Sequence, residues 1–303
     1  MSQQKKHIGL IGAGLMGSGI AASLLRKGFP LTILDHPGNQ PLGPLLAAGA
    51  RTSPRAADLA SQVDILILCV TGSPQVEAVL FQQGGVLEGL KKGITVIDCS
   101  TAIPSSTLKI AQAIQDAGGR FLDAPMTRTP KEAAEGRLNL IVGGEREVYE
   151  SCLPVLQSYA ENIVYAGGVG AGHQMKLLHN FVSLGFSAVL AEAAACARQT
   201  GTDPQTFCDI LAAGGGGGVV LNRLRPYIES GDTSGFRFSM ANALKDMGYY
   251  CTMAEEQGAY DALAVAIREI YAEAAQAGLE QSPVPVLIDH LAAVPASAGG
   301  DGE

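Results

Sequence analysis

Three glycines, Gly12, Gly14 and Gly17, stand between an apolar run at residues 7–11 and a helical stretch at 16–27 whose apolar residues Ile20, Leu24 and Leu25 share one face. The first glycine permits a tight turn out of a strand, the second lets a bulky anion approach the backbone, and the third lets the helix pack closely on the strand. A helix starting there presents free N–H groups and the positive end of its dipole to whatever occupies the turn. A pyrophosphate meets those conditions, so Gly12-Ala13-Gly14-Leu15-Met16-Gly17 reads as a dinucleotide-binding turn. Asp35 closes the next apolar run, 31–34, where a carboxylate can accept hydrogen bonds from an adenosine ribose. It would repel a 2′-phosphate, and His36-Pro37-Gly38 supply no arginine to offset the repulsion, so NAD is expected rather than NADP. Methyltransferases that bind an adenosyl sulfonium cofactor share this turn and acid, and redox chemistry must be argued from the rest of the chain.

The strand signal repeats. Apolar runs at 65–70 and 94–97, with further candidates at 120–122 and 138–142, alternate with helical stretches, the pattern of a parallel sheet covered on both faces. From 173 to 200 the chain turns rich in Ala, Leu and Met, with no proline and only Gly185, which predicts one long helix. Helical spacing recurs at 204–212, 219–225, 242–256 and 263–277, with Pro226 and Gly258 as turn signals and the run 214–218 as a mobile glycine loop. The expected architecture is an α/β Rossmann-type NAD-binding domain over 1–168, an all-helical substrate and oligomerisation domain over 169–294, and a flexible tail over 295–303. A chain of 303 residues accommodates two such cores.

Composition narrows the partners. A formal charge of -8 and no basic run longer than a lysine pair argue against nucleic acid. The cysteines Cys69, Cys99, Cys152, Cys196, Cys208 and Cys251 are scattered without metal-ligand spacing, so free thiols in a reducing compartment and no metal are expected. The N-terminus carries no signal-peptide pattern, and apolar runs are broken short of the roughly 20 residues a membrane helix needs. A cytoplasmic protein without membrane contact is the expectation.

The chemistry concentrates at Gly170-Ala171-Gly172-His173-Gln174-Met175-Lys176-Leu177-Leu178-His179-Asn180, which opens the long helix. His173, Lys176 and Asn180, three and four residues apart, share a face. The helix dipole and partial burial both disfavour an ammonium near the N-terminus, which would bring Lys176 toward a range useful for proton transfer. A lysine so placed can give a proton to a carbonyl oxygen as hydride arrives. His173 reads as a capping or structural histidine, and Cys69 and Cys99 as packing residues.

With these segments in order, the chain resembles the beta-hydroxyacid dehydrogenases, the family of 3-hydroxyisobutyrate dehydrogenase, tartronate semialdehyde reductase and sulfolactaldehyde reductase. Four stretches carry the resemblance over nearly the whole chain: the glycine turn with Leu15-Met16-Gly17, then Asp123-Ala124-Pro125, then Gly170-x-Gly172-x3-Lys176-x3-Asn180, and finally Lys245-Asp246. The resemblance implies that Lys176 is the general acid/base and that Gly172 and Asn180 lie against the substrate. It implies also that Val70, Thr71 and Thr101 line the cofactor, and that Lys245 contacts nicotinamide or substrate.

One segment departs from the family pattern. Most members carry a Ser-Gly-Gly turn one residue after Asp-x-Pro, where this chain has Met126-Thr127-Arg128-Thr129. Thr127 can replace the serine hydroxyl, and Arg128 replaces a glycine with a forked cation suited to carboxylate, sulfonate or phosphate. The Arg-Thr pair resembles the sulfolactaldehyde reductase branch. Thr127, Arg128 and Thr129 are therefore expected to bind the acid group, with Arg128 reading an additional or larger anion; pairing of Arg128 with Glu132 or Glu135 is the competing reading. His179 replaces a residue that is often Asn. The expected reaction is reversible, NAD-dependent interconversion of a small beta-hydroxy acid and its semialdehyde by a homodimer or homotetramer. An imine reductase-like enzyme, against which Lys176 counts, and an NAD-binding protein without turnover are the alternatives.

Overall fold

The alternation of apolar runs with helices yields one sheet in the N-terminal part of the chain. Its strands are β1 (Ile8–Ile11), β2 (Leu31–Leu34), β3 (Arg51–Ser53), β4 (Ile65–Leu68), β5 (Thr95–Asp98), β6 (Arg120–Asp123), β7 (Met126–Thr127), β8 (Leu138–Gly144) and β9 (Ala160–Gly167). The structure is a computed structural model describing residues 5–293; the segment 295–303, expected above to be a tail, lies outside the described residues. Two units divide the chain, Met1–Lys176 and Leu177–Glu303.

The sheet order is β3-β2-β1-β4-β5-β6-β8-β7, with β9 on β8. The first six strands are parallel. Between β1 and β4 the order reverses, and in such sheets a crevice opens there beyond the carboxyl ends of the strands. Every residue of β1, β2, β4 and β5 is buried, as a sheet covered on both faces requires. Alternate residues serve opposite layers: Ile8, Leu10, Ile65 and Ile67 pack with Ile20 and Leu24, whereas Ile11, Leu66, Leu68 and Val96 pack with Leu59, Val79 and Ile110. Register sets Ile11 beside Leu68, Leu68 beside Asp98 and Asp98 beside Asp123, so four strand ends meet on one edge.

Three strands fall outside the sequence expectation. β3 and β7 are only three and two residues long, and β9 opens on the polar Glu161-Asn162 with its short apolar run 163–166 following. The sheet is also not wholly parallel, because β8 runs antiparallel to β6 and β7.

The helix Ala171–Gln199 passes from the first unit into the second, which places the division at Lys176 inside the helix. By length and composition it is apolar enough to cross a membrane, against the expectation of no such segment, because its few charged residues interrupt the run while leaving its mean hydropathy high. Half of that apolar window is buried within the protein. Its residues Leu184, Ala188, Ala191 and Ala194 build the core of the second unit with Leu224, Met247, Ile267 and Tyr271. Pro226 does not end a helix as expected; it lies inside Val219–Ser230, whose buried stripe Leu221, Leu224, Tyr227 and Ile228 continues past it to Gly231 at φ 75°. The helix expected over 263–277 spans Ala262–Ala274 and continues as a π turn broken at Gly278.

That stripe makes a stability prediction. Leu224 is fully buried and Val219, on the same helix, is 66% exposed. Urea unfolding should show Leu224→Ala losing about 2–5 kcal/mol and Val219→Ala changing by less than about 0.5 kcal/mol.

Candidate active site

The glycine turn is shaped by close approach. Gly12 has φ 95°, and a Cβ there would stand 2.3 Å from the Cys69 carbonyl oxygen; a Cβ at Gly17 would stand 1.9 Å from that of Gly12. Only glycine allows the strand, the turn and the helix Leu15–Arg26 to pack so tightly. Gly14 differs: it caps that helix with no side-chain cap, and a Cβ on it would meet nothing within 4 Å. An open cradle in front of uncapped helix N–H groups fits a dinucleotide pyrophosphate. Leu15 is exposed at its rim and Met16 is partly buried.

Asn39, which lies outside the glycine motif, locks this turn. Its Oδ1 accepts from the Ala13 N–H at 3.1 Å and its Nδ2 donates to the Leu34 carbonyl at 2.8 Å, while the Gln40 N–H donates to the Ala13 carbonyl. The Ala13 N–H is thereby engaged by the protein, and the turn is tied to the end of β2. Asp35 follows directly, exposed, with its own N–H donated to the Ser53 carbonyl.

Beyond β4 and β5, the Val70 N–H donates to Ser100 Oγ at 3.1 Å, so the turns carrying Val70, Thr71 and Thr101 are bonded to each other. Ser100 N–H donates in turn to Asp98 Oδ1 at 2.9 Å. Burial pushes the Cys69 thiol up to about 12 and the Cys99 thiol well above its ordinary value, which agrees with packing roles and leaves neither as a thiolate.

At the end of β6, the buried carboxylate of Asp123 accepts from the Gly170 N–H at 2.8 Å and the His173 N–H at 2.9 Å. Gly172 lies inside this junction: a Cβ there would come within 2.5 Å of the Ile141 carbonyl oxygen. It is a buried glycine of close approach. His173 is fully buried, with Nδ1 2.7 Å from Thr107 Oγ1 and Nε2 3.1 Å from the Ser100 carbonyl oxygen. Lys176, partly buried, follows on the same helix.

The segment after β6 separates the three residues expected to act together. Thr127, in β7, accepts from Asn139 Nδ2 at 3.0 Å and keeps its hydroxyl proton for another partner. Arg128 has φ 83°, alone among the non-glycine residues described, and its guanidinium bonds the Glu161 carboxylate and the Arg137 carbonyl. That partner is neither Glu132 nor Glu135, because Glu161 sits on the unexpected strand β9. Thr129 caps the helix Pro130–Glu135 in a reciprocal box with Glu132, and its hydroxyl holds the Glu132 carboxyl below the ordinary range.

In the second unit, Asn180 is buried and donates from Nδ2 to Asp246 Oδ2 at 2.6 Å, while its Oδ1 lies 3.0 Å from His179 Nδ1. Lys245 Nζ pairs with Asp246 Oδ1 at 2.7 Å. The late lysine-aspartate pair and Asn180 thus meet at the buried Asp246 carboxylate, with Lys245 partly exposed.

An uncapped glycine turn, an acid ending β2 and a lysine-bearing helix tied to the carboxyl edge of a parallel sheet define a nicotinamide-dinucleotide dehydrogenase. Residues 7–167 match the NAD-binding domain of 6-phosphogluconate dehydrogenase, and 170–290 match the NAD-binding domain described for NADP-dependent 3-hydroxyisobutyrate dehydrogenase. The uncharacterized oxidoreductase YkwC of Bacillus subtilis is 32% identical over 84% of this chain and 88% of its own. The human cytokine-like nuclear factor N-PAC is 30% identical over 89% of this chain and 48% of its own, so the chain spans about half of that protein. A solved 3-hydroxyisobutyrate dehydrogenase from Salmonella typhimurium superposes with a TM-score of 0.82 at 28% identity, covering 94% of this chain and 99% of the other. The chain belongs to the beta-hydroxyacid dehydrogenase family and is an NAD(P)-binding oxidoreductase of the CH–OH group.

The two glycines of the turn should separate folding from binding. Gly14→Ala, with an ordinary φ of -71° and open space around its Cβ, should leave thermal stability nearly unchanged yet weaken NADH binding about tenfold, because the methyl fills the pyrophosphate cradle. Gly17→Ala should destabilise the fold itself by more than about 1 kcal/mol. Thermal melts and calorimetric titration with NADH distinguish the two.

Proposed function

We propose that this chain reversibly interconverts a small beta-hydroxy acid and its semialdehyde with NAD, using Lys176 as general acid/base. The observation that carries this reading is the bonding of the first turn of the Lys176 helix to the carboxyl edge of the sheet, where the dinucleotide turn also lies. When bound, the nicotinamide supplies the hydride chemistry. In the oxidative direction the Lys176 amine takes the hydroxyl proton as the C–H hydride leaves; in the reductive direction its ammonium returns a proton to the carbonyl oxygen. Gly12, Gly14 and the helix N-terminus at Leu15, Met16 and Gly17 would hold the pyrophosphate, and Asp35 the ribose. Val70, Thr71 and Thr101 would line the nicotinamide half, and Asn180 and Lys245 would serve substrate or nicotinamide.

The exposed Asp35, repulsive to a 2′-phosphate, supports NAD, although the family model over 170–290 is named for an NADP-dependent enzyme. Thr127 would hold the acid group. Arg128 would read a second anion, a sulfonate or carboxylate, by exchanging its solvent-screened partner Glu161. Thr129 is engaged as a helix cap and contributes by fixing that turn. Leu178, Val182 and Val189 return to one face of the long helix and are exposed, which supports assembly as a homodimer or homotetramer. Six free cysteines fit a reducing cytoplasm.

Purified protein assayed with NAD and NADP against three- and four-carbon hydroxy acids, sulfonated ones included, tests this reading. Lys176→Ala should lose at least about 100-fold in kcat; turnover near wild type would remove the acid/base role, and no turnover by wild type on any substrate would favour a binding protein. Equal kcat/KM with both dinucleotides would remove the role given to Asp35. Arg128→Ala should lose about tenfold in kcat/KM for dianionic over monoanionic substrates, and an unchanged profile would remove the second-anion site.

A further inference from the structure

We propose that Asp123 and His173 are positioning residues that hold the helix turn bearing Lys176 in place, a role resting on the acid/base reading of Lys176 above. Helices leave their first N–H groups without partners, and a neighbouring residue commonly caps them. Here the cap comes from a different strand: the two oxygens of Asp123 accept from Gly170 and His173, residues 47 and 50 positions away in sequence. The backbone is shaped around that carboxylate. A Cβ at Gly143 would lie 2.6 Å from Asp123 Oδ1, and one at Gly172 would lie 2.8 Å from Oδ2.

The imidazole of His173 secures the same turn from the other side. Nδ1 meets Thr107 on the helix Pro104–Asp116, and Nε2 meets the Ser100 carbonyl just after β5, with Asp98 Oδ2 4.0 Å away. Asp98, Thr107, Asp123 and His173 are fully buried and Ser100 nearly so. Asp98 Oδ2 has no hydrogen-bond partner, and burial raises the carboxyl's affinity for its proton while His173 opposes the rise. Polar groups taken out of water at this density are costly to leave imperfectly paired, and an apolar junction would hold the helix as well. What an apolar junction lacks is direction: hydrogen bonds set the height and rotation of a helix, and packing alone tolerates slippage.

Lys176 follows His173 by less than one turn of a rigid helix, so fixing the turn fixes its Cα. Ser100 also receives the Val70 N–H, so the same group sets the turn proposed to line the nicotinamide. Acid/base transfer concurrent with hydride transfer demands this kind of placement, since an error of about 1 Å can lower a rate by about 100-fold.

The test compares His173→Phe, His173→Gln, Thr107→Val and Lys176→Ala with wild type, using the best hydroxy acid of the panel and NADH binding followed by its fluorescence. His173→Phe should lower kcat at least about tenfold while substrate KM and NADH Kd stay within about threefold. His173→Gln, which retains a donor toward Ser100, should recover most of that loss. A His173→Phe enzyme within twofold of wild type, or one whose NADH affinity falls in step with kcat, or a Gln variant as slow as the Phe variant, overturns the proposal. Should His173→Phe fail to fold, Thr107→Val decides: kcat down about fivefold supports positioning and an unchanged kcat refutes it. Slow Lys176→Ala with fast His173→Phe removes the positioning role alone, whereas fast Lys176→Ala removes the acid/base reading beneath it.

Discussion

The carboxylate of Asp123 stands where the last parallel strand ends and the long helix begins, and its two backbone hydrogen bonds connect them. Its height is set by the pairing of Asp123 with Asp98, and of Asp98 with Leu68, so the helix start is referred to the same edge as the dinucleotide turn. That edge exists because the strands are apolar on both faces. Such strands must be covered by helices on either side, crossovers keep them parallel, and parallel strands deliver all their carboxyl ends to one line. The position of Lys176 therefore descends from unbroken apolar runs such as Ile65–Leu68 through a single carboxylate that those runs hold in place.

The same double burial explains what was legible in the sequence. β2 was read with its true bounds, and β1, β4 and β5 within two residues, because apolar runs bounded by Gly or Asp leave little choice. β9 escaped because its apolar run 163–166 is short, follows the polar Glu161-Asn162 and is only partly buried. That omission had a cost at the site, because Glu161 of β9 holds Arg128 while the residues weighed as partners lay nearby in sequence. Asp98, Thr107 and Asn39 were missed for a related reason. Each acts through a partner far away in the chain or across a loop, and a polar residue's partner carries no local periodicity to betray it.

In the second unit the resemblance supplied Lys245-Asp246 as an adjacent pair and Asn180 as a separate residue, and the geometry shows why they belong together. A carboxylate as buried as that of Asp246 requires partners on both oxygens. Asn180 hydrogen-bonds one oxygen, and the other, which has no hydrogen-bond partner, is balanced by the charge of Lys245 at 2.7 Å. Asn180 can thus hold one orientation: its Nδ2 is committed to Asp246, and its Oδ1 faces His179. His179 Nδ1, in the tautomer that carries its proton there, donates to that oxygen and so helps hold the amide.

Arg128 poses the opposite problem, a departure that strains the chain. Its φ of 83° lies in the left-handed region, where glycine is unstrained and a side chain costs about 1–2 kcal/mol. The family resemblance implies glycine at this point of the turn. The pair with Glu161 lies at the surface, where solvent screens it, so it offsets little of the backbone term. Fold stability alone would favour glycine, so the guanidinium needs another account. Its ion pair is the kind that a substrate anion can displace at little cost, because both partners are solvated and the pair is screened by salt. Strained residues of this sort collect where a site needs a side chain that the backbone would otherwise exclude. The strain at Arg128 therefore weighs for a recognition role more than its choice of resting partner weighs against one.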